Sequence, residues 1–234
     1  MKIGIIGSGN IGGTLARKLR ALHYTVFLTN SRGPASLQQF ADETGIIPLH
    51  LAELVKESDL IIVTIPQKSI PLLPAGLFSG LKGKIVLDTC NYYPDLRDGH
   101  LNGFSAFTID SEWVTGQLGH PVIKVFNSIL TQSLQDKGLP KGSSGRIGLP
   151  VAGDDAAAKK VVMSLVDELG FDPVDAGDIK DSWKQHPGSP VYCTDLTAGE
   201  IAEKLAALRE EDRVELNKAR IIREEAAIQK YGHL

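Results

Sequence analysis

The sequence predicts an α/β protein with a doubly wound, mostly parallel sheet and a small C-terminal extension that ends in a long helix. Short apolar runs alternate with helix-length segments through most of the 234 residues. Several runs consist almost entirely of Ile, Val and Leu, as expected for strands buried on both faces of a parallel sheet. The last stretch changes to a charged helical pattern. This alternation favours βαβ units with right-handed crossovers.

Eight short runs are predicted to be strands. They cover Lys2–Ile6, Thr25–Thr29, Ile46–His50, Leu60–Ile65, Lys84–Asp88, Val122–Phe126, Leu149–Ala152 and Pro173–Asp175. The clearest helices cover Ile11–Leu22 and Asp155–Leu169, where apolar residues recur at helical spacing. Gly, Ser and Lys dominate Pro140–Gly148, which predicts a mobile loop. We expect residues 1–128 to form one domain and residues 129–234 to form a C-terminal α/β extension.

A charged helix is predicted at the C-terminus. Thr197-Ala198-Gly199-Glu200 has the form of a capping box, and the helical pattern continues towards Tyr231. About 33 helical residues would extend roughly 50 Å, which is more than a small domain can cover. Two alternatives stay open: the helix breaks near Glu211-Asp212, or it reaches a second subunit.

Composition excludes several classes of partner. The net charge of −3 gives no reason to expect nucleic acid, and no apolar run approaches the roughly 20 residues that span a bilayer. Cys90 and Cys193 are the two cysteines, which favours reduced thiols over a disulfide framework. The six histidines, at positions 23, 50, 100, 120, 186 and 233, have no metal-ligand spacing. We therefore expect a cytoplasmic protein with no signal peptide and no metal.

Directly after the first strand lies a glycine-rich motif, Gly7-Ser8-Gly9-Asn10-Ile11-Gly12, which also opens the first helix. In a Rossmann dinucleotide-binding domain, the first glycine permits a tight turn, the second lets the backbone approach the pyrophosphate, and the third lets helix and strand pack closely. The helix N-terminus then offers N–H groups to the phosphates. The alternative is a glycine turn without a ligand, but the position of the motif favours a dinucleotide.

The end of the second strand distinguishes NADP(H) from NAD(H). NAD-binding domains carry Asp or Glu there to hold the ribose 2′-hydroxyl. Here the strand ends in Thr29-Asn30-Ser31-Arg32, and no carboxylate follows until Asp42. Arg32 and Ser31 can donate hydrogen bonds to a 2′-phosphate, which an acid would repel. The alternative is a solvated arginine in a turn, but the missing acid favours NADP(H).

Further cofactor contacts are expected where later strands end, because ligands of such sheets bind outside the carboxyl ends of the strands. Asp88 is either a cofactor contact or a turn or cap residue. Asn127 is expected to hydrogen-bond either a carboxamide or a substrate carbonyl. The expected contacts are Ile65, Pro66, Gln67, Asp88, Asn91 and Asn127.

No catalytic acid–base pair can be identified. Lys124 lies inside an apolar strand, where it is either a general acid or, as favoured here, an edge-strand lysine or one that reaches solvent. Trp183-Lys184-Gln185-His186 is either part of a substrate pocket or a loop packed on the domain. Hydride transfer between two bound cofactors requires only stacking and orientation, whereas carbonyl reduction also requires a proton donor.

Several segments together resemble the NADPH-dependent coenzyme F420 reductases, and also the oxidoreductase domain of membrane ferric reductases. The matching segments span roughly residues 1–180. They are Ile5-Ile6-Gly7-Ser8-Gly9-Asn10-Ile11-Gly12, Asn30-Ser31-Arg32, Thr64-Ile65-Pro66, Leu149-Pro150-Val151-Ala152-Gly153-Asp154-Asp155, Lys159-Lys160-Val161-Val162, Leu169-Gly170-Phe171 and Pro173-Val174-Asp175-Ala176-Gly177.

The resemblance implies a Rossmann domain that holds NADP(H), a flat acceptor such as a deazaflavin stacked on the nicotinamide, and a homodimer. Two departures concern the acceptor: the terminal helix is charged where the family has an apolar one, and Asn127 stands where F420 reductases have histidine. The resulting hypothesis is hydride transfer between NADP(H) and coenzyme F420 or a flavin. The alternatives are reduction of a small carbonyl or imine compound, and a non-catalytic NADP(H) redox sensor.

Overall fold

A six-stranded parallel sheet lies at the centre of the protein. The computed structural model describes residues 1–105 and 107–232. His233, one of the histidines predicted not to bind a metal, lies outside these residues. The strands are β1 (Lys2–Ile6), β2 (Thr25–Thr29), β3 (Ile47–Pro48), β4 (Leu60–Val63), β5 (Ile85–Asp88) and β6 (Ile123–Lys124). Their order is β3-β2-β1-β4-β5-β6, which is the order of the Rossmann fold. The predicted doubly wound α/β sheet is confirmed.

Eight α-helices of the described residues cover the sheet and its extension. They are α1 (Asn10–Ala21), α2 (Gln38–Thr44), α3 (Leu51–Glu57), α4 (Asp110–Leu118), α5 (Thr131–Asp136), α6 (Ala156–Glu168), α7 (Ala198–Ala207) and α8 (Arg213–Tyr231). One core cluster packs α1 and α6 on one face of the sheet, and a second packs α3 and α4 on the other. The first cluster joins Leu15 and Leu19 to Leu165 and Phe171, so the C-terminal extension shares the core of the first domain.

The last two predicted strands form a separate small sheet. Strands β7 (Gly148–Val151) and β8 (Asp172–Asp175) pair in parallel, with α6 as the crossover between them. An antiparallel bridge between Lys124 and Ala152 attaches this sheet to β6. The side chain of Asp155 caps α6 by accepting the N–H groups of Ala157 and Ala158, both at 2.9 Å.

The sixth strand is shorter than the predicted Val122–Phe126. Its regular pairing ends at Lys124, and Phe126 adopts a left-handed backbone with a φ of 60°. A bulky residue in this region is strained, so the surrounding packing must hold it there. Phe126 is 1% exposed. The β6 chain therefore turns sharply at its carboxyl end.

The C-terminal helix breaks before Arg213, which is the first of the two predicted alternatives. Helix α7 ends at Ala207, Arg209 is extended, and a 3₁₀ turn over Glu210–Asp212 leads into α8. The Asp212 carboxylate accepts the N–H of Arg209 at 2.7 Å and fixes this turn. Helix α8 then packs on its own chain, where Asn217, Arg220 and Glu224 form its buried face. Among the described residues, no helix is both long and apolar enough to cross a membrane.

Candidate functional site

Two adjoining cavities lie at the carboxyl ends of the central strands. The Arg32 cavity measures about 700 Å³ and the Tyr192 cavity about 410 Å³. The Arg32 cavity is lined by Ile6, Gly7, Ser8, Gly9, Thr29, Asn30, Ser31, Arg32, Leu51, Thr64, Ile65, Pro66, Ser69, Leu72 and Leu73. The Tyr192 cavity is lined by Gly9, Asn10, Ile11, Thr64, Ile65, Pro66, Thr89, Cys90, Asn91, Tyr93, Arg97, Phe126, Asn127, Ile129, Leu130, Thr131, Tyr192 and Cys193. The two sets share Gly9, Thr64, Ile65 and Pro66, so the two cavities adjoin at the glycine motif, and together we call them the path.

The three glycines of the motif differ in the space that surrounds them. Gly7 has a φ of 114°, and a Cβ there would lie 2.2 Å from the Thr64 carbonyl oxygen. A Cβ at Gly12 would lie 2.0 Å from the Gly7 carbonyl oxygen, whereas one at Gly9 would meet nothing within 4 Å. Gly9 is also the N-cap of α1, with no capping side chain and no acidic residue in the first turn. The turn is therefore tightly packed on its inner side, open at Gly9, and has a helix N-terminus suited to an anion.

Asn30 occupies the strand end where NAD-binding domains carry an acid. Its Oδ1 accepts the N–H of Arg32 at 2.9 Å, and its Nδ2 donates to Ser8 Oγ at 3.1 Å. This neutral amide therefore ties the β2 end to the glycine turn and shapes the loop that carries Ser31 and Arg32. No carboxylate lies among the described residues that line this cavity. Sequence reasoning missed this bridging role, which a short Asn-x-Arg turn could have suggested.

Of the three residues predicted as cofactor contacts after β4, two line the cavities and one is buried in the core. Ile65 and Pro66 line both cavities. Gln67 lines neither, because its side chain is fully buried at the start of the 3₁₀ helix over Gln67–Leu72. The structure therefore does not place the predicted Gln67 contact at the path.

Asp88 and Lys124 form a buried ion pair beneath the Tyr192 cavity. Lys124 is 1% exposed and Asp88 is fully buried, with 3.0 Å between Nζ and Oδ2. The Asp88 carboxylate also accepts the N–H of Cys90 at 2.8 Å and the Ser111 hydroxyl at 2.7 Å. Lys124 Nζ donates in addition to the Cys90 carbonyl oxygen. The interpretation of Lys124 as solvent-reaching is wrong, and Asp88 acts as a turn-capping residue outside the lining of either cavity.

Asn91 and Asn127 meet in the wall of the Tyr192 cavity. Asn127 Nδ2 donates to Asn91 Oδ1 at 3.1 Å and to the Gln185 carbonyl oxygen at 2.8 Å, and Asn127 Oδ1 accepts from Gln185 Nε2 at 2.9 Å. Asn91 Nδ2 donates to the Asn127 carbonyl oxygen at 2.9 Å. Both residues line the cavity, and the Asn127 amide is committed to protein partners.

Sequence reasoning missed two tyrosines at the far end of this cavity. The hydroxyl groups of Tyr93 and Tyr192 are hydrogen-bonded to each other across 99 residues of sequence. Burial raises the pKa of Tyr93 to about 12, and burial also raises the pKa of Tyr192 well above its ordinary value. Burial likewise raises the pKa of the neighbouring Cys193 thiol to about 11. These side chains are therefore protonated and neutral at physiological pH.

The segment Trp183-Lys184-Gln185-His186 packs on the domain and lines neither cavity. Trp183, Gln185 and His186 are buried, and burial lowers the pKa of His186. Within residues 1–105 and 107–232, no group of three His, Cys, Asp or Glu side chains is arranged to hold a metal ion.

The comparisons with known proteins agree with this geometry. Residues 2–92 match the family described as NADP oxidoreductase, coenzyme F420-dependent. Protein YjhV of Escherichia coli (strain K12) is 53% identical over 60 residues, which are 26% of this chain and 44% of that protein. The match therefore spans less than half the length of that curated relative.

Two solved structures are similar over most of the chain. The hypothetical protein SMa0349 of Sinorhizobium meliloti is 29% identical with a TM-score of 0.69, over 84% of this chain and 95% of that one. A protein of Arthrobacter sp. FB24, provisionally described as an F420-dependent NADP reductase, is 29% identical with a TM-score of 0.65, over 78% and 87% of the two chains. Residues 2–92 therefore form an NADP-dependent oxidoreductase domain of the coenzyme F420-dependent family.

Proposed function

We propose that the protein holds NADP(H) along the path from the Arg32 cavity to the Tyr192 cavity and transfers hydride between the nicotinamide and an acceptor. The carrying observation is that the two cavities adjoin at the glycine turn, with a guanidinium and no carboxylate among the described lining residues of the Arg32 cavity. When bound, the dinucleotide supplies the hydride. The chain supplies binding, orientation and electrostatics.

The described residues fit such a cofactor. The open space at Gly9 and the uncapped start of α1 suit the pyrophosphate. Ser31 and Arg32 can donate to the 2′-phosphate. Asn91 and Asn127 border the cavity that would receive the nicotinamide and the acceptor.

The first candidate acceptor is coenzyme F420 or a flavin, because residues 2–92, which include the glycine turn and Ser31-Arg32, match the coenzyme F420-dependent family. A small carbonyl or imine compound is the second candidate, since two phenol groups line the cavity. The test is an acceptor screen that follows the loss of NADPH absorbance with F420, flavins, aldehydes, dicarbonyls and cyclic imines. Tight NADPH binding without oxidation by any of these acceptors would overturn the enzymatic proposal and favour a redox sensor.

Arg32→Ala tests the cofactor assignment. Loss of charge-assisted hydrogen bonds worth about 1.5–3 kcal/mol is expected to weaken NADPH binding by roughly 10- to 100-fold, while NADH binding changes little. Fluorescence titration measures both affinities. The exposed Arg209→Ala serves as the matched control. Equal affinity of the unaltered protein for NADH and NADPH would contradict the Ser31-Arg32 argument.

We further propose a cytoplasmic homodimer. Cys90 and Cys193 are free thiols, which suits a reducing compartment. Helix α8 leaves Val214, Ile221 and Ile222 exposed, which supports self-association. Light scattering of the full chain should give the mass of two copies, and a monomer would overturn the proposal.

A further inference from the structure

Two phenol groups lie side by side in the wall of the Tyr192 cavity. Tyr93 stands just before the π-helical turn over Pro94–Asp98, and Tyr192 lies in the loop that leads to α7. Tyr192 is buried, whereas Tyr93 is half-buried. Their hydroxyl groups are hydrogen-bonded, and both residues line the cavity. The more exposed phenol is therefore backed by a second, buried phenol.

The neighbouring amide is compatible with donation from Tyr192 to Tyr93. Asn91 Nδ2 lies 3.4 Å from the Tyr192 hydroxyl oxygen, and an amide nitrogen can only donate. Tyr192 therefore accepts from Asn91, and its own hydrogen is available to Tyr93. With Tyr192 as the donor of the pair, the Tyr93 hydroxyl hydrogen is directed to a ligand in the cavity.

Two arginines favour negative charge at this position. The Arg97 guanidinium lies 5.4 Å from the Tyr93 ring centroid, and the Arg223 guanidinium lies 5.2 Å from the Tyr192 ring centroid. Arg97 is held in place by the Asn91 carbonyl oxygen at 2.7 Å and by the Asp98 carboxylate at 2.9 Å. The described cavity lining contains no carboxylate, histidine or lysine. The proton donors in this wall are therefore phenols, thiols and threonine hydroxyl groups, and among them the two phenols are hydrogen-bonded to each other.

We propose that Tyr93 donates a proton to the acceptor, that Tyr192 orients and reprotonates it, and that the acceptor is accordingly a carbonyl or imine compound. This inference rests on the proposed NADP(H)-dependent hydride transfer. The acceptor carbon takes the hydride, and the electron pair of its double bond moves to the oxygen or nitrogen. That atom takes the Tyr93 proton, Tyr192 passes its proton to Tyr93, and water replaces it. Each turnover consumes one NADPH and one solvent proton.

The need for a donor separates the acceptor classes. Hydride addition to an isolated carbonyl leaves an alkoxide, which requires a proton in the same step. A reduced flavin or deazaflavin instead spreads its charge over a conjugated ring and tolerates the anionic form. Dependence of the rate on a phenol is thus the signature of a carbonyl or imine acceptor.

The experiment compares Tyr93→Phe and Tyr192→Phe with Tyr24→Phe, a tyrosine that donates to Glu168 outside both cavities. With the best carbonyl or imine acceptor of the screen, Tyr93→Phe should lower kcat about 100-fold or more, within the range of general acid catalysis. Tyr192→Phe should lower kcat roughly 10-fold, because it leaves the donor in place. Neither should change the acceptor KM or the NADPH affinity more than about twofold, and circular dichroism checks folding.

The pH profile separates a donor from a merely structural tyrosine. Because burial raises the pKa of Tyr93 to about 12, the donor stays protonated and kcat should not fall between neutral pH and about pH 10. The groups that face Tyr93 are Tyr192, Cys193, Arg97 and Arg223. Tyr93→Phe should instead show a kcat that rises as pH falls, since solvent then supplies the proton.

Two outcomes would overturn the inference in distinguishable ways. The donor role is refuted if Tyr93→Phe has the same kcat as the unaltered protein, or if the unaltered protein oxidises NADPH only with F420 or flavins. In both cases the proposed function still holds. An unaltered protein that binds NADPH but oxidises it with no acceptor refutes both.

Discussion

Asp88 and Lys124 show how a single pair of residues fixes the floor of the Tyr192 cavity. Both side chains are buried at the carboxyl ends of neighbouring strands β5 and β6, and both bond to Cys90, one to its N–H and one to its carbonyl oxygen. The pair therefore holds the backbone of Cys90, the residue after β5 that lines the cavity. Removal of one partner leaves an uncompensated buried charge, which proteins tolerate poorly.

Lys124→Met is expected to lower the free energy of unfolding by about 3–5 kcal/mol, because Asp88 keeps its charge without a partner. Urea denaturation measures the change. Lys124→Met combined with Asp88→Asn should recover part of the loss, since the amide retains an acceptor and removes the charge. The exposed Lys82→Met is the control, with an expected effect of less than about 0.5 kcal/mol. A loss below about 1 kcal/mol in Lys124→Met would contradict the buried-pair argument.

At the scale of elements, Arg146 anchors the end of the segment Pro140–Gly148, which was predicted as a mobile loop. The Arg146 side chain is 2% exposed, and its guanidinium bonds the Leu139 carbonyl oxygen at 3.0 Å and Asp167 Oδ1 at 2.7 Å. It also bonds the Asp172 carboxylate at the start of β8. One side chain thus joins the loop, the C-terminal end of α6 and the small sheet.

Arg146→Ala is expected to cost about 2 kcal/mol of unfolding free energy, the scale of charge-assisted hydrogen bonds at partly exposed carboxylates. Hydrogen bonds from Lys141 and then Arg146 hold the pKa of Asp167 below its ordinary value. A lowered carboxyl pKa contributes stability above the unfolded pKa, and this contribution is lost as pH falls through the folded pKa. Arg146→Ala should therefore be less sensitive to acid than the unaltered protein.

Urea denaturation at neutral pH and in acid checks both expectations. For the stability at neutral pH, Lys141→Ala provides the control, because Lys141 also pairs with Asp167 but its side chain is 82% exposed. Exposed pairs contribute roughly 0–1 kcal/mol, so Lys141→Ala should cost less than Arg146→Ala. Equal losses in the two variants would show that burial of Arg146 is unimportant.

At the scale of the whole molecule, helix α8 connects the end of the chain to the wall of the Tyr192 cavity. Glu224 Oε1 accepts the N–H groups of Asp95 and Leu96, both at 2.8 Å, at the start of the turn that carries Arg97. Arg223 of the same helix lies over the Tyr192 ring. The terminal helix therefore supports the wall of the Tyr192 cavity, where the acceptor is proposed to bind.

Glu224→Ala should loosen α8 from this turn, because two backbone N–H groups lose their acceptor. The expected result is faster hydrogen exchange at Asp95 and Leu96 and a lower kcat/KM for the acceptor, with NADPH affinity changed less than about threefold. Glu224→Gln keeps an acceptor oxygen and serves as the control. Unchanged exchange at both amides in Glu224→Ala would refute the coupling.

The sequence by itself predicted the parallel sheet, the glycine turn and the Ser31-Arg32 loop. These features depend on residues close together in the chain: runs of apolar residues, a motif between strand and helix, and a missing acid after β2. The capping box at Thr197 was predicted for the same reason, since helix starts are local properties, whereas the break before α8 was one of two alternatives that the sequence left open.

Only the tertiary structure decided the partners of Asp88, the burial of Lys124 and the pairing of Tyr93 with Tyr192. Nothing local marks a lysine in an apolar strand as buried, because its fate depends on a carboxylate 36 residues away. The two phenols are 99 residues apart and meet because the loop before α7 folds back over the end of β5. The lining of the Arg32 cavity comes largely from segments close together in the chain, so local sequence patterns can indicate it, whereas the lining of the Tyr192 cavity is assembled from distant segments by packing.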